Sequence, residues 1–125
     1  MTNQKNSAHI SRIFLASKYS WSGLKFAWQE GAFRLECYIA CICITFGIAI
    51  NLSILQHLGI LCSWLFVLII EILNSAIEAC IDRISHEKHQ LSKIAKDLGS
   101  AAVFLSMIIC IIINLSIFIS HITSF

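Results

Sequence analysis

Two long stretches without charge, separated by one strongly charged segment, set the plan of this chain. From residue 37 to residue 70 there is no Asp, Glu, Lys or Arg. That is too long for one membrane crossing, which takes about 20 residues. Asn51, Ser53, Gln56, His57 and Gly59 mark a short turn in its middle. The pattern therefore predicts one span over residues 37–50 and a second over 58–81. Residues 82–97 carry Asp82, Arg83, Glu87, Lys88, Lys93, Lys96 and Asp97, with His86 and His89 among them. A third span follows over 98–122. It opens on Gly99, Ser100, Ala101 and Ala102, small side chains that let helices approach closely. Ahead of the first span, Ile10, Ile13, Phe14, Trp21, Leu24 and Trp28 recur at helical spacing, with Arg12, Lys18, Lys25 and Gln29 elsewhere on the wheel. That predicts an amphipathic helix over residues 8–30 lying in the membrane interface. Ser20, Trp21, Ser22 and Gly23 mark a place where it can divide in two. The expected fold is an all-α membrane protein of one domain, residues 1–125: a surface helix and three transmembrane helices.

Composition agrees with this plan and narrows it. With 58% hydrophobic and only 13% charged residues, a soluble domain of 125 residues could not hide its apolar surface. A net charge of +2 is too small to suggest nucleic acid, and no nucleic-acid partner is expected. The polar and basic residues that persist through Lys25 argue against a cleavable signal peptide. Cys37, Cys41, Cys43, Cys62, Cys80 and Cys110 all lie in apolar runs without paired zinc spacing, so they read as small apolar filler. Lys5, Arg12, Lys18, Lys25 and Arg34 precede the first span, and Arg83, Lys88, Lys93 and Lys96 lie between the second and third. The positive-inside rule then places the N-terminus and the second loop in the cytosol, and the C-terminus outside.

The chemistry concentrates on the second span. An α-helix turns about 100° per residue, so Glu71, Asn74, Glu78 and Asp82 fall within an arc of roughly 80°. An otherwise apolar helix thus carries a stripe of three carboxylates and an amide. A charged group inside a bilayer costs about 3 kcal/mol even on lenient insertion scales. A stripe that merely glues helices together suits Asn74 and Ser75. It suits Glu71 and Glu78 poorly, because no Lys or Arg lies between Arg34 and Arg83. With the topology above, Glu30, Glu36, Glu78, Asp82, Glu87 and Asp97 gather at the cytosolic face, and Glu71 lies about 10 Å deeper than Glu78. Such a site meets a water-soluble reactant and a lipid head group together. Clustered carboxylates suit Mg²⁺, which bridges phosphates. Lys96 can hold a phosphate as a point charge. A carboxylate at membrane level can take a proton from a lipid hydroxyl. No glycine-rich phosphate loop is present. His86 and His89 have helical metal spacing but sit in a charged linker. From the residues alone, an ion or proton pathway through Glu71 and Glu78 stays open, as does a non-catalytic scaffold.

Several stretches together carry a resemblance. These are Glu71 to Ala79 with Asn74 and Glu78, Asp82-Arg83-Ile84, Glu87 with His89, Leu91 and Ser92, and Ala95-Lys96-Asp97 followed by Gly99-Ser100-Ala101-Ala102-Val103. Arg12, Tyr19-Ser20-Trp21, Gly23-Leu24, Ala27-Trp28, Glu30, Ala32-Phe33-Arg34 and Glu36 agree with it. The chain resembles the bacterial integral-membrane diacylglycerol kinase family over nearly its whole length. The resemblance implies a homotrimer in the bacterial inner membrane that transfers the γ-phosphoryl group of Mg²⁺-ATP to diacylglycerol, giving phosphatidic acid. Its active sites are shared between subunits at the cytosolic face. It implies Glu71 as general base with Asn74 beside it, and Glu30 and Glu78 as metal ligands. It implies Arg12, Tyr19, Glu30, Glu78, Glu87, Lys88, His89, Lys96 and Asp97 at the nucleotide. It implies Arg12, Ser20, Trp21, Ala32, Phe33, Arg34, Glu36, Glu71 and Ser100 at the lipid. Undecaprenol kinases share the fold and form the nearest alternative.

The chain also departs from the pattern. Cys37 stands where a glycine is expected, and Leu35 replaces a polar residue. The stretch between Trp28 and Glu30 is one residue shorter, which bears on how Glu30 is aimed. Lys88 stands where an aromatic is familiar. For Asp82, a cap or a pair with Arg83 is expected rather than a catalytic role.

Overall fold

The computed structural model describes residues 2–84 and 89–123, and the side chains from Arg12 onward except Ile13. Four helices follow one another: α1 (Thr2–Ala27), α2 (Gly31–Ala49), α3 (Ile54–Ile84) and α4 (Gln90–Thr123). The last three are long and apolar enough to cross a membrane. They outrun the apolar runs of the sequence: α2 begins at Gly31, six residues before Cys37, and α4 at Gln90 rather than at Leu98. Charge ends a membrane span, but it does not end a helix when the charged residues are good helix formers.

The first helix does not divide at Ser20–Gly23, as its sequence suggested. Ser20 Oγ donates to the Ala16 carbonyl at 3.0 Å, so the hydroxyl bonds within the helix instead of competing with it. Among its described side chains only Ala27 is buried. Trp28, Gln29 and Glu30 then turn the chain into α2. Arg34 Nη1 donates to the carbonyls of Trp28 at 3.1 Å and Gln29 at 3.0 Å, satisfying acceptors that the end of α1 leaves over. The Trp28 and Tyr38 rings meet edge to face at 6.1 Å across the same junction. Cys37 sits within an unbroken α2.

The α2–α3 turn is written in side-chain chemistry. Asn51 has φ 58°, the left-handed conformation that asparagine tolerates better than most residues. Around it the Leu52 N–H donates to the Gly47 carbonyl at 3.0 Å, and the Asn51 N–H to that of Ile48 at 3.1 Å. This pair of bonds is a Schellman close. Leu52 folds back over Gly47, where a β-carbon would stand 3.0 Å from Leu52 Cδ1. Ser53 and Gln56 then start α3 reciprocally: the Gln56 N–H donates to Ser53 Oγ at 3.3 Å, and the Ser53 N–H to Gln56 Oε1 at 2.8 Å. That is a capping box.

α3 packs chiefly on α4, and α2 on α3; α1 has no comparable packing. Each packed face is a stripe at helical spacing. On α2 it is Phe33, Glu36, Ala40 and Gly47; on α3 Ile60, Ser63, Trp64, Val67 and Glu71; on α4 Gly99, Ser106, Cys110 and Asn114. Ile60 and Val67 are fully buried at the centre, with Trp64, Cys110, Ala40 and Leu52 around them. Opposite faces expose Ile, Leu and Phe along every span. In water such surface would drive association; in a bilayer it meets its own solvent. The six cysteines are unpaired.

Candidate functional site

Two of the buried stripes carry a glutamate. Glu36 on α2 is 3% exposed and Glu71 on α3 is 6% exposed, although every other core position on those helices is apolar or small. The two carboxylates are close enough to repel, and Glu71 is also within range of Glu78 and of Glu30. Four carboxylates from α2, α3 and the turn before α2 therefore converge. α3 has 31 residues, about 46 Å at 1.5 Å per residue, against a hydrocarbon layer of about 30 Å. Measured from Ile54, Glu71 stands about 26 Å along the helix and Glu78 about 36 Å. A helix that entered hydrocarbon at Ile54 would carry Glu71 near the far edge of that layer and Glu78 beyond it.

Glu30 occupies the N-cap of α2 in an extended conformation, yet its side chain makes no capping bond. The carboxylate sits by the positive end of a helix dipole, and among the described residues no hydrogen bond or ion pair takes up its oxygens. It lies within electrostatic range of Glu71. Asn74 Nδ2 approaches Glu78 Oε1 at 3.5 Å, a long contact that holds the glutamate only weakly. Asn74 Oδ1 is buried without a hydrogen-bond partner and lies against Gly99, where any β-carbon would overlap it. Glu36 Oε2 is likewise buried and unpartnered.

Lys96 reaches across from α4. Its Nζ meets Asp82 Oδ1 at 2.6 Å, and Glu78 also lies within its electrostatic range. Asp82 pairs with Lys96, then, and not with Arg83. The expectation from neighbouring residues overlooked the helical hairpin: Asp82 and Lys96 lie seven residues to either side of His89. An antiparallel α3–α4 pair brings such positions together. His89 opens α4, its Nδ1 accepting the Leu91 N–H at 3.2 Å. In a neutral ring that places the proton on Nε2, which turns outward as a donor.

A pocket of about 330 Å³ opens between α1 and α2, lined by Trp21, Leu24, Lys25, Trp28 and Phe33. Lys25 Nζ stands 5.9 Å from the Trp21 ring, at the edge of cation–π range. Trp21 and Phe33, expected at the lipid, are brought together here. Leu24 and Trp28, on the apolar face of α1 with Trp21, join them, and that shared face is the signal in the sequence. Lys25, set apart from that face by its charge, also lines the pocket.

Other expected residues stay apart. Arg12, Tyr19 and Ser20 are exposed on α1, and among the described residues no hydrogen bond or ion pair joins them to the carboxylates. Ala32, Asp97 and Ser100 are exposed. Glu87, Lys88 and His86 lie outside the described residues. Among the described residues no three His, Cys, Asp or Glu side chains form a metal site by themselves. The donor chemistry nevertheless fits a hard cation. Mg²⁺ commonly takes one or two carboxylates and completes its shell with phosphate and water, and Glu30 and Glu78 offer such oxygens beside Glu71.

Comparison with known proteins gives this geometry a context. The sequence profile of one family, prokaryotic diacylglycerol kinase, matches residues 18–118. The diacylglycerol kinase of Escherichia coli (strain K12) is 42% identical over 108 residues, covering 86% of this chain and 88% of that protein. That of Haemophilus influenzae is 42% identical over 101 residues, covering 80% and 86%. That of Pseudomonas aeruginosa is 39% identical over 104 residues, covering 82% and 85%.

Proposed function

The chain belongs to the prokaryotic diacylglycerol kinase family, and from that premise we propose that it phosphorylates diacylglycerol to phosphatidic acid with ATP at the cytosolic face of a bacterial inner membrane. The observation that carries the reading is Glu71, a buried carboxylate on a membrane helix, within reach of Glu78 and Glu30. A base at that depth meets a lipid hydroxyl; Glu78, about two turns further out, meets a solvated nucleotide.

Phosphoryl transfer asks the protein for positioning and charge neutralisation more than for covalent chemistry. Glu71 accepts the proton of the lipid hydroxyl as the hydroxyl oxygen attacks the γ-phosphorus, while the bond from that phosphorus to the β,γ-bridging oxygen breaks and ADP leaves. Asn74, wedged against Gly99, orients the stripe on which Glu71 and Glu78 stand. Glu30 and Glu78 would hold Mg²⁺, which when bound neutralises the phosphate oxygens. Lys96 adds a point charge to the same phosphates. Arg12, Tyr19, Glu87, Lys88, His89 and Asp97 complete the nucleotide contacts. Trp21, Phe33 and the apolar pocket take the lipid body, with Ser20, Ala32, Arg34, Glu36 and Ser100 about its polar end. The exposed, basic and aromatic α1 lies along the interface, and the basic flanks orient both the N-terminus and the α3–α4 turn to the cytosol. Arg12, Tyr19 and Ser20 are exposed, and in a homotrimer with sites shared between neighbours they would meet the carboxylates of the next copy.

The test is phosphate transfer from labelled ATP in mixed micelles, with diacylglycerol and undecaprenol offered side by side. Label in phosphatidic acid is expected. Label confined to undecaprenyl phosphate would keep the mechanism and replace the lipid. No label in either, from folded protein, would overturn the kinase reading.

A further inference from the structure

One ion pair joins Lys and Asp or Glu side chains among the described residues, between Lys96 Nζ and Asp82 Oδ1 at 2.6 Å. It bridges α3 and α4 at the mouth of the carboxylate cluster. Asp82 and Glu78 are four residues apart, hence one above the other on α3. Lys96 is within electrostatic range of both, yet its bond goes to the outer one. Lysine is a compact charge on a flexible stem, and among the described residues Glu78 is the other carboxylate that acts on it electrostatically. Among the described residues Glu78 itself is held only by the long contact from Asn74.

We propose that Asp82 is a positioning residue for the nucleotide site: it anchors Lys96 at the α3–α4 mouth and keeps the ammonium off Glu78. Two consequences follow from the geometry. The remaining donors of Lys96 stay available to phosphate, in a side chain whose freedom is already restricted. The oxygens of Glu78 stay available to the metal–nucleotide complex rather than being consumed in an internal pair. Neither Asp82 oxygen needs to touch nucleotide, lipid or metal. The inference rests on the kinase reading, in which Lys96 and Glu78 face the nucleotide.

The experiment compares wild type with Asp82→Asn, which keeps the shape and removes the charge, and with Asp82→Glu, which keeps the charge. Binding of a non-hydrolysable ATP analogue with Mg²⁺ is measured directly by equilibrium titration, alongside steady-state kinetics. Asp82→Asn is expected to weaken analogue binding and raise the KM for ATP by roughly two- to fivefold, the range of a half-exposed pair. The KM for diacylglycerol should stay unchanged, and Asp82→Glu should recover most of the loss. Unchanged binding with only a lowered thermal midpoint would make the pair structural and overturn the proposal. Tighter binding would overturn it too, since Asp82 would then compete with phosphate. The Asp82 side chain is 57% exposed, so folding should survive; if Asp82→Asn does not fold, Asp82→Ser is read by the same titration. Wild-type protein that neither binds the analogue nor transfers phosphate would instead sink the kinase reading itself.

Discussion

Gly99 and Asn74 show how a single side chain can reach a site without touching substrate. A β-carbon at residue 99 would overlap Asn74 Oδ1, and Asn74 is the neighbour that holds Glu78. Gly99→Ala should therefore push the amide aside before it pushes the helices apart. The expected result is a fall in phosphate transfer of roughly tenfold, since misplacing a site by even about 1 Å is costly. The thermal midpoint in detergent should move little. Assays of activity and melting on the same preparation check this; intact activity would mean that Asn74 has room to relocate. At this scale much of the site was legible. Glu71, Asn74 and Glu78 announce themselves as charged or amide groups in an apolar run, and Gly99 as the small residue of a helix contact. Asp82 was not legible as the partner of Lys96, because that pairing depends on the register of two helices and not on neighbours in sequence. Glu36 was placed at the lipid only by resemblance. That its carboxylate enters the packed stripe of α2 depends on α2 beginning at Gly31.

The elements are decided mostly at their ends. Ser53 and Gln56 cap α3 reciprocally, and Asn51 takes the left-handed position that closes α2. Ser53→Ala should cost about 1 kcal/mol by loss of the cap. Asn51→Val should cost a further 1–2 kcal/mol or so, because a branched side chain resists that φ. Chemical or thermal unfolding in detergent measures both; a neutral Asn51→Val would mean that the turn adopts another form. The turn's existence was visible in the polar residues 51–59, but its position was not. Gln56, His57 and Gly59 prove to be inside α3, since Ser53 with Gln56 is a helix start rather than a loop. The helices outrun the apolar runs for a related reason: apolar runs mark what can lie in hydrocarbon, while helices continue through Arg34, Asp82 and Lys96 into the charged margin. The buried polar group of Ser63, Cys110 and Asn114 was not anticipated. Asn114 Nδ2 donates to Ser63 Oγ at 3.0 Å and to the Cys110 carbonyl at 2.8 Å. It ties α4 to α3 about a third of the way along α3 from its start, where only packing reveals which polar residues face each other.

For the whole molecule, the arrangement is a ladder of depth. Exposed apolar surface covers the spans, carboxylates climb α2 and α3 toward one end, and the aromatic and basic helix α1 has little packing of its own. That division was legible from hydropathy and charge alone. Which residues of α1 meet which carboxylate was not, since one chain leaves them apart. The central claim is that Glu71 takes the lipid proton within an otherwise intact site. Glu71→Gln tests it most directly, by phosphate transfer to diacylglycerol in mixed micelles together with binding of the ATP analogue. The account predicts transfer reduced by about a hundredfold or more, with analogue binding and the thermal midpoint near those of wild type. Transfer close to the wild-type rate from folded Glu71→Gln protein would contradict it.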